Sequence, residues 1–265
     1  MDFKKEFEVN KATWNEKALV HYESDFYDVG AFAKAQNSLT PYELQTLGNV
    51  DGKSLLHLQC HFGQDTLSWA KKGAKATGVD FSEKAIEIAR NVSKHLKLDA
   101  QFVCCNVLDT ASYIDQKFDI VVTSYGVIGW LPDLKPWASM ISKMLKPGGT
   151  FYIAEFHPIV WMYDYTSDKP ILKYHYNQSE SIYEEYPGTY ANPESDMISK
   201  EYGWNHALSD VIQSLIDAGL KIELFAEHDG SPYDVFPNME KRDDGLYYFK
   251  DGLFPTIFEV KAVKP

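Results

Sequence analysis

The sequence lacks the run of about 20 consecutive apolar residues that a membrane-spanning helix needs. It is also poor in positive charge: 26 lysine and arginine residues stand against 38 aspartate and glutamate residues, giving a formal net charge of -12. Proteins that bind a nucleic-acid backbone use clustered lysine and arginine, so this composition predicts neither a nucleic-acid partner nor a membrane partner. The N-terminus has no apolar stretch of signal-peptide length, which favours a cytoplasmic location.

Cysteine is scarce as well. Cys60, Cys104 and Cys105 are too few for a disulfide framework, and none belongs to pairs with zinc-ligand spacing. The sequence therefore predicts no metal site, and the adjacent Cys104 and Cys105 are expected to pack on opposite faces of a strand. With 45% hydrophobic and 24% charged residues, the 265-residue chain is expected to form one globular domain.

What the sequence does contain is a regular alternation of short apolar strands and amphipathic helices. The predicted strands span residues 76–80, 100–104, 118–123 and 150–155, after a first strand that begins near Leu55. The clearest predicted helix follows Ser82, and its apolar residues recur at the spacing of a single buried face. This alternation predicts a parallel sheet that is covered by helices on both faces.

The chain divides into four predicted parts within this single domain. Residues 1–50 are expected to form a helical flap, and residues 51–157 the core of the sheet. Residues 158–205 are rich in tyrosine and acidic residues, and aromatic side chains need burial, so we expect an inserted cap. Residues 206–265 are expected to complete the sheet.

The stretch Leu55–Thr66 joins the first strand to the next helix through a turn at Gly63. Such a junction directs backbone N–H groups and a helix N-terminus toward a ligand above the strand end. Asp80 ends the second strand and Asn106 follows the third, so polar groups are expected to meet at neighbouring strand ends. An acid in the position of Asp80 can accept hydrogen bonds from ribose hydroxyls, which predicts a nucleoside ligand.

These motifs resemble those of class I S-adenosylmethionine-dependent methyltransferases over roughly Lys53–Pro158. Gly78–Ser82 resembles the ribose-binding strand end of the family, and Phe118–Val122 resembles its fourth strand. Leu145–Thr150 resembles the turn before its fifth strand. The run His-Leu-Gln-Cys-His-Phe-Gly at residues 57–63 is similar to a variant of the glycine-rich motif in uncharacterised bacterial members.

The glycine-rich turn departs from the family pattern. The family has Gly-x-Gly-x-Gly preceded by an acid, and here those four places hold His57, Gln59, His61 and Gly63. Side chains disfavour the φ > 0 backbone that such a turn uses, so we expect a relaxed turn or side chains that take over contacts. His61 is expected to donate a hydrogen bond to the cofactor carboxylate. The loss of the acid at His57 removes a contact to the cofactor amino group.

The resemblance implies a Rossmann-like sheet of about seven strands, mostly parallel with the last strand antiparallel, and S-adenosyl-L-methionine as the cofactor. Asn106 takes the place of an aspartate that contacts adenine in the family, and an amide carbonyl can accept the same bond. The residues predicted to bind the cofactor are Tyr27, Gln59, His61, Gly63, Asp80, Phe81, Asn106, Val107 and Ser124.

Methyl transfer from a sulfonium is an in-line displacement, so the enzyme mainly aligns the nucleophile and excludes water. A base is needed only when the nucleophile carries a proton of high pKa. The candidates for this base are Tyr125, which follows the fourth strand, and Glu155 and His157 at the end of the fifth strand. We predict Tyr125 and His157 as catalytic residues. Alternatively, His157 only orders the chain before Pro158.

The predicted function is methyl transfer to a small-molecule acceptor. The aromatic and acidic cap also raises a cationic substrate as a hypothesis, against the alternative of a solvated acidic hairpin. The cap tyrosines in question are Tyr163, Tyr165, Tyr174, Tyr176, Tyr183 and Tyr186.

Other functions remain open at this point. The altered glycine turn is compatible with a protein that binds and senses S-adenosylmethionine without catalysis. The acidity disfavours a methyltransferase of nucleic acids, and a protein methyltransferase is a further alternative. A dinucleotide-binding dehydrogenase is disfavoured because Gln59 and His61 occupy places where glycine lets a pyrophosphate approach. The oligomeric state cannot be read from these patterns.

Overall fold

The structure is a computed structural model that describes residues 3–35, 37–164, 171–236 and 238–265. Its helices are α1 (Lys4–Tyr22), α2 (Val29–Lys34), α3 (Pro41–Leu47), α4 (Gln64–Lys71), α5 (Glu83–Leu96), α6 (Thr110–Tyr113), α7 (Leu134–Met144) and α8 (Leu208–Asp217). Its strands are β1 (Ser54–Leu58), β2 (Lys75–Asp80), β3 (Ala100–Cys104), β4 (Phe118–Ser124), β5 (Leu145–Phe156), β6 (Gln178–Pro187), β7 (Ile198–Asn205), β8 (Lys221–His228), β9 (Met239–Lys241), β10 (Tyr247–Phe249) and β11 (Ile257–Val263).

Seven of the described strands form one sheet in the order β3-β2-β1-β4-β5-β11-β8. The pairs from β3 to β5 are parallel, whereas β11 runs antiparallel to both β5 and β8. The predicted Rossmann-like sheet with an antiparallel last strand is thus confirmed. The strand order reverses between β1 and β4, and open sheets of this kind bind ligands in the crevice at such a switch point.

Side chains of β1 alternate between the two faces of the sheet. Leu56 and Leu58 pack into the same core cluster as Trp137 of α7, whereas Leu55 packs with Trp69 of α4 on the other face. Every residue of β1 is buried. A strand that is buried on both faces has a continuous run of apolar residues. The central strands could therefore be predicted from the sequence.

The N-terminal flap consists of α1, α2 and α3, and α1 is much the longest of them. The 19 residues of α1 bury a polar face against β7. Asn10 and Thr13 donate side-chain hydrogen bonds to backbone carbonyls of β7 at 2.8 and 2.5 Å. The buried ammonium of Lys17 pairs with Glu201 of β7 at 2.5 Å. These bonds fasten α1 to the cap.

The cap segment forms the antiparallel hairpin β6–β7. Residues 181–186 lie within β6. Residues 171–176 contribute one isolated bridge, between Leu172 and Tyr163, and form no strand. Tyr165 lies outside the described residues. Among the described helices, none combines the length and the apolar composition needed to cross a bilayer.

Candidate functional site

A cavity of about 620 Å³ opens where β1, β2 and β4 end, beneath α1 and the cap. Ligand pockets of small molecules have volumes of this order. The cavity is lined by every residue that the sequence predicted to bind the cofactor, namely Tyr27, Gln59, His61, Gly63, Asp80, Phe81, Asn106, Val107 and Ser124. Tyr125 also lines it, whereas His157 does not. The fold therefore gathers these residues around one space, and their individual roles stay predictions.

The turn after β1 keeps a left-handed backbone without glycine. Gln59 has φ of 54° and His61 has φ of 51°. Of the two alternatives expected for this turn, a relaxed backbone is therefore wrong. A left-handed conformation costs a non-glycine residue roughly 1–2 kcal/mol, and such strain persists only where the surroundings hold it in place.

Side-chain hydrogen bonds hold the two strained residues. Gln59 Nε2 donates to the carbonyl of Val127 at 2.8 Å, and His61 Nε2 lies 2.8 Å from His21 Nδ1 on α1. Burial lowers the pKa of His61 to about 3 and the pKa of His21 to about 2. Both rings are therefore neutral, and a single proton bridges the facing nitrogens. His61 Nδ1 has no partner among the described residues, so it is left to serve a ligand.

Two substitutions at position 61 separate backbone strain from side-chain contact. Because both remove the bond to His21, His61→Gly is expected to be about 1 kcal/mol more stable than His61→Ala, which keeps the strain. Urea unfolding of the two variants measures this difference. Equal free energies of unfolding would mean that position 61 does not carry the left-handed strain.

Gly63 ends the turn and begins α4 with φ of 81°. A Cβ atom added there would lie 2.5 Å from Cε1 of Phe102, a ring that is itself buried in the core. Both the backbone angle and the packing therefore require glycine at this position. The first-turn residues Gln64 and Asp65 of the helix that follows also line the cavity.

Asp80 connects the ends of β1 and β2. Its Oδ2 accepts a hydrogen bond from the backbone N–H of His61 at 2.9 Å, and its Oδ1 accepts one from Ser82 at 2.9 Å. Burial raises the pKa of Asp80 to about 6. Each carboxylate oxygen can accept a second bond, so Asp80 keeps the capacity to receive two hydroxyl donors from the cavity.

Asn106 follows β3, beside Phe81 and Val107. Its Oδ1 accepts a hydrogen bond from the N–H of Leu108 at 3.0 Å and so caps a short 3-10 helix at Val107–Asp109. This bond fixes the amide and leaves one lone pair and the NH₂ group for a ligand. The position is compatible with the predicted contact to adenine.

Tyr125 leaves the end of β4 in a left-handed conformation, with φ of 48°. Its hydroxyl lies 2.7 Å from Thr40 Oγ1, which in turn donates to Glu43 Oε2 at 3.0 Å. Burial raises the pKa of the Tyr125 phenol well above its usual range, so the group stays protonated. Tyr125 therefore presents a neutral hydroxyl at the cavity wall.

Glu155 supports the segment that follows Tyr125. It is fully buried, and its carboxylate oxygens accept four backbone N–H groups, from Gly126, Val127, Ile128 and Phe156, at 2.5 to 3.1 Å. A carboxylate committed to four donors acts as a structural anchor. Glu155 therefore shapes the cavity through the backbone.

His157 points away from the cavity. Its Nε2 lies 2.8 Å from Oε1 of Glu227 on β8, and its Nδ1 accepts the N–H of Ile159 at 3.2 Å. Both ring nitrogens are thus used, and burial lowers the pKa of the imidazole. The general-base role of His157 stays a prediction that this geometry does not support, and the alternative, ordering the exit from β5, fits the contacts.

Several cavity residues were missed by sequence reasoning. They are Asp25, Phe26, Ser38, Thr40, Glu43, Asp65, Trp130, Tyr190, Tyr233, Lys241 and Tyr247, among others. Thr40 and Glu43 had a signal, a capping box, but it indicates only that a helix begins. Tyr190 comes from the cap, and its hydroxyl meets that of Tyr27 at 2.5 Å. The cap tyrosines named in the sequence analysis, within the described part, do not line the cavity.

Comparison with known proteins agrees with this fold. Residues 56–153 match the family model described as "Methyltransferase domain". The ubiquinone biosynthesis O-methyltransferase of Alkalilimnicola ehrlichii is 26% identical over 130 residues, which cover 48% of this chain and 52% of that protein. The enzyme of the same name from Coxiella burnetii is 26% identical over 145 residues, covering 54% and 61%. The chain thus spans about half to three-fifths of the length of these relatives.

Solved structures share the architecture over a longer span. The S-adenosylmethionine-dependent methyltransferase of Methanosarcina mazei superposes with a TM-score of 0.57 at 18% identity, covering 85% of this chain and 98% of that one. The glycopeptide N-methyltransferase MtfA complexed with S-adenosylmethionine gives a TM-score of 0.55 at 17% identity, covering 84% and 92%. The fold is that of the class I methyltransferases. Residues 56–153 of this chain are similar to a methyltransferase domain.

Proposed function

We propose that this protein transfers the methyl group of S-adenosylmethionine to a small-molecule acceptor. The observation that carries the proposal is the cavity at the switch point of the sheet, with Asp80 at the end of β2. Its lining includes the acids Asp25, Glu43, Asp65 and Asp80 together with Lys241. An acidic enclosure of this kind favours a ligand with positive charge, such as a sulfonium.

The residues of the cavity fit this cofactor. Gly63 lines the cavity, and Asp80 keeps acceptor capacity for ribose hydroxyls. Gln59 Oε1 is a buried acceptor without a hydrogen-bond partner among the described residues. A buried acceptor without a donor is costly, so a donor on the ligand would stabilise it.

Each part of the cavity has a defined task in this proposal. Asp80 binds the ribose, Asn106 binds the adenine, and the turn at residues 59–63 binds the methionine portion. Tyr27 and Tyr190 close the cavity above and exclude water. When bound, the cofactor supplies an electrophilic methyl group on a positively charged sulfur. Tyr125 orients the acceptor by hydrogen bonding to its nucleophilic group.

The acceptor is proposed to be a small molecule because the cavity has the volume of a small-molecule pocket and because of the names of the relatives. The curated relatives are O-methyltransferases of ubiquinone biosynthesis, and one structural neighbour is a glycopeptide N-methyltransferase. The first name indicates methyl transfer to oxygen and the second indicates methyl transfer to nitrogen. The net charge of -12 disfavours nucleic acid as the acceptor.

Two measurements test the proposal. Calorimetry with S-adenosylhomocysteine is expected to give saturable binding, and labelled S-adenosylmethionine is expected to transfer its methyl group to one of a panel of phenols, alcohols and amines. Absence of binding would overturn the proposal. Binding without transfer to any member of a broad panel would instead favour a protein that senses the cofactor.

The affinity for S-adenosylhomocysteine is expected to depend on the protonation of Asp80. The pKa of this group is raised to about 6, and its carboxylate form accepts the ribose hydroxyls. Protonation of Asp80 should therefore contribute about a tenfold rise in the dissociation constant between about pH 7.5 and about pH 5, taken as the difference between the wild type and Asp80→Asn. Asp80→Asn should bind S-adenosylhomocysteine more weakly, and its dissociation constant should lack the change near pH 6. If this change persists in the variant, another group is responsible for the titration.

A further inference from the structure

Two acidic side chains missed by the sequence analysis share one wall of the cavity. Glu43 on α3 is 3% exposed, and Thr40 donates its N–H and Oγ1–H to Glu43 Oε2 at 2.9 and 3.0 Å. Asp65, in the first turn of α4, is partly buried and accepts a hydrogen bond from Ser38 Oγ at 2.5 Å. Glu43 and Asp65 are called the carboxyl pair below.

Roles in the helices account for only part of this arrangement. Glu43 closes the capping box of α3, and Asp65 is an acid in the first turn of α4. Either role stabilises a helix when the side chain remains in solvent. Neither role requires burial against the other acid at a shared cavity, which costs free energy for both. The cost suggests a binding function for the carboxyl pair.

The carboxyl pair has no counterion in the described part of the chain. The titratable groups that face Glu43 are Asp65, Tyr125 and Tyr152, and none of them carries positive charge. Burial, and then the charge of Asp65, raises the pKa of Glu43 to about 8, and burial raises the pKa of Asp65. Buried carboxylates are normally paired with a cation, so the pair lacks one positive group.

An independent observation also points to a ligand rich in donors. Gln59 Oε1 lines the same cavity, is buried, and has no partner among the described residues, while its Nε2 is fixed on the Val127 carbonyl. The amide cannot turn round to satisfy Oε1 without losing that bond. A ligand that brings N–H groups would satisfy both Gln59 and the carboxyl pair.

The neighbouring His57 does not compete for this role. Its Nδ1 lies 2.9 Å from Thr66 Oγ1, and burial lowers the pKa of the ring to about 4. His57 is therefore neutral and already hydrogen bonded. It offers neither the positive charge that would neutralise the carboxyl pair nor the negative charge that would attract an ammonium group.

We infer that the carboxyl pair binds the α-ammonium group of the methionine portion of the cofactor. This inference rests on the proposed function and deepens it. Glu43 and Asp65 supply two carboxylates from α3 and α4, whereas the end of β1 supplies only the neutral His57. The ammonium replaces the missing counterion, so Glu43 loses its proton when the cofactor binds.

The test compares two ligands and two variants by calorimetry. The ligands are S-adenosylhomocysteine and its analogue in which hydrogen replaces the α-amino group. Glu43→Gln retains the capping box, which accepts glutamine equally, so the helix is kept. This variant should have an at least tenfold lower affinity for S-adenosylhomocysteine, because charged hydrogen bonds are worth about 1.5–3 kcal/mol. Its affinity for the analogue should change by less than about twofold. Asp65→Asn should act in the same direction.

Proton release gives a second readout. At about pH 7 the raised pKa keeps most of Glu43 protonated before binding, so S-adenosylhomocysteine should displace protons when it binds. Calorimetry in two buffers of different ionisation enthalpy measures this release, which Glu43→Gln should abolish. Glu87→Gln on the exposed face of α5 is the matched control. It should change neither the affinity for S-adenosylhomocysteine nor the proton release.

Two results would overturn the inference. One is an equal loss of affinity for both ligands in Glu43→Gln, and the other is proton release that persists in this variant. If wild-type protein fails to bind S-adenosylhomocysteine at all, the proposed function itself is wrong. If wild-type protein binds and Glu43→Gln is unaffected, only the role of the carboxyl pair is wrong.

Discussion

Replacing Gly63 with alanine is expected to destabilise the folded protein by about 3 kcal/mol and to abolish measurable binding of S-adenosylhomocysteine. The left-handed backbone contributes about 1–2 kcal/mol and overpacking a further 1–3 kcal/mol. The overpacking arises because the new Cβ would lie 2.5 Å from the buried ring of Phe102. Relief of that contact requires the turn to move, and the turn forms one wall of the cavity. Chemical denaturation and calorimetry measure the two effects.

Gly219 provides the matched control for this substitution. It has nearly the same φ, 80°, but no atom lies within 4 Å of the position of an added Cβ. Gly219→Ala should therefore cost only about 1 kcal/mol, from the backbone angle, and should leave cofactor binding intact. If both variants lose the same stability, the contact with Phe102 is unimportant and the steric argument fails.

The second large effect is expected at Glu155. Glu155→Ala removes the acceptor of four backbone N–H groups that surround the end of β4. Each buried donor left without a partner costs about 1–3 kcal/mol, and water entering the vacated space offsets part of that, so a loss of about 4 kcal/mol is expected. Hydrogen exchange at Val127 and Ile128 should accelerate more than elsewhere in the sheet.

A second glutamate near the same sheet edge serves as the control for Glu155. The side chain of Glu227 on β8 is 44% exposed and pairs with His157. Glu227→Ala should change stability by less than about 1 kcal/mol, as is usual for partly solvated pairs. A loss below 1 kcal/mol in Glu155→Ala as well would mean that the loop after β4 does not depend on this carboxylate.

The sequence predicted the parts of the fold in which burial and apolar character coincide. β3 has the predicted bounds, and α5 begins after Ser82, whose side chain accepts a hydrogen bond from the N–H of Ala85. The bounds of α1 were not predicted because the face it buries carries Asn10, Thr13 and Lys17, which are satisfied by hydrogen bonds and an ion pair to β7. A hydrophobic pattern contains no information about such partners.

The residues of the candidate site were also predicted only in part. Gly63 and Asp80 belong to local motifs with a fixed spacing, so the sequence located them at the cavity. His157 was placed at the correct strand end, but the side to which its ring turns is decided by Glu227, which is 70 residues away. Glu43 was missed because its burial depends on the way α3 packs against the sheet. Contacts distant in sequence are set by the fold, which local patterns do not encode.

The strained turn also has a consequence for the entropy of ligand binding. A glycine-rich turn is flexible, and ordering it around a ligand costs conformational entropy at the moment of binding. Here Gln59 and His61 hold the same backbone shape through bonds to Val127 and His21, so that entropy is already lost when the chain folds. The ligand therefore meets a rigid surface. The rate of association should be limited by the separation of Tyr27 from Tyr190 above the cavity. Rearrangement of the turn at residues 59–63 should not limit it.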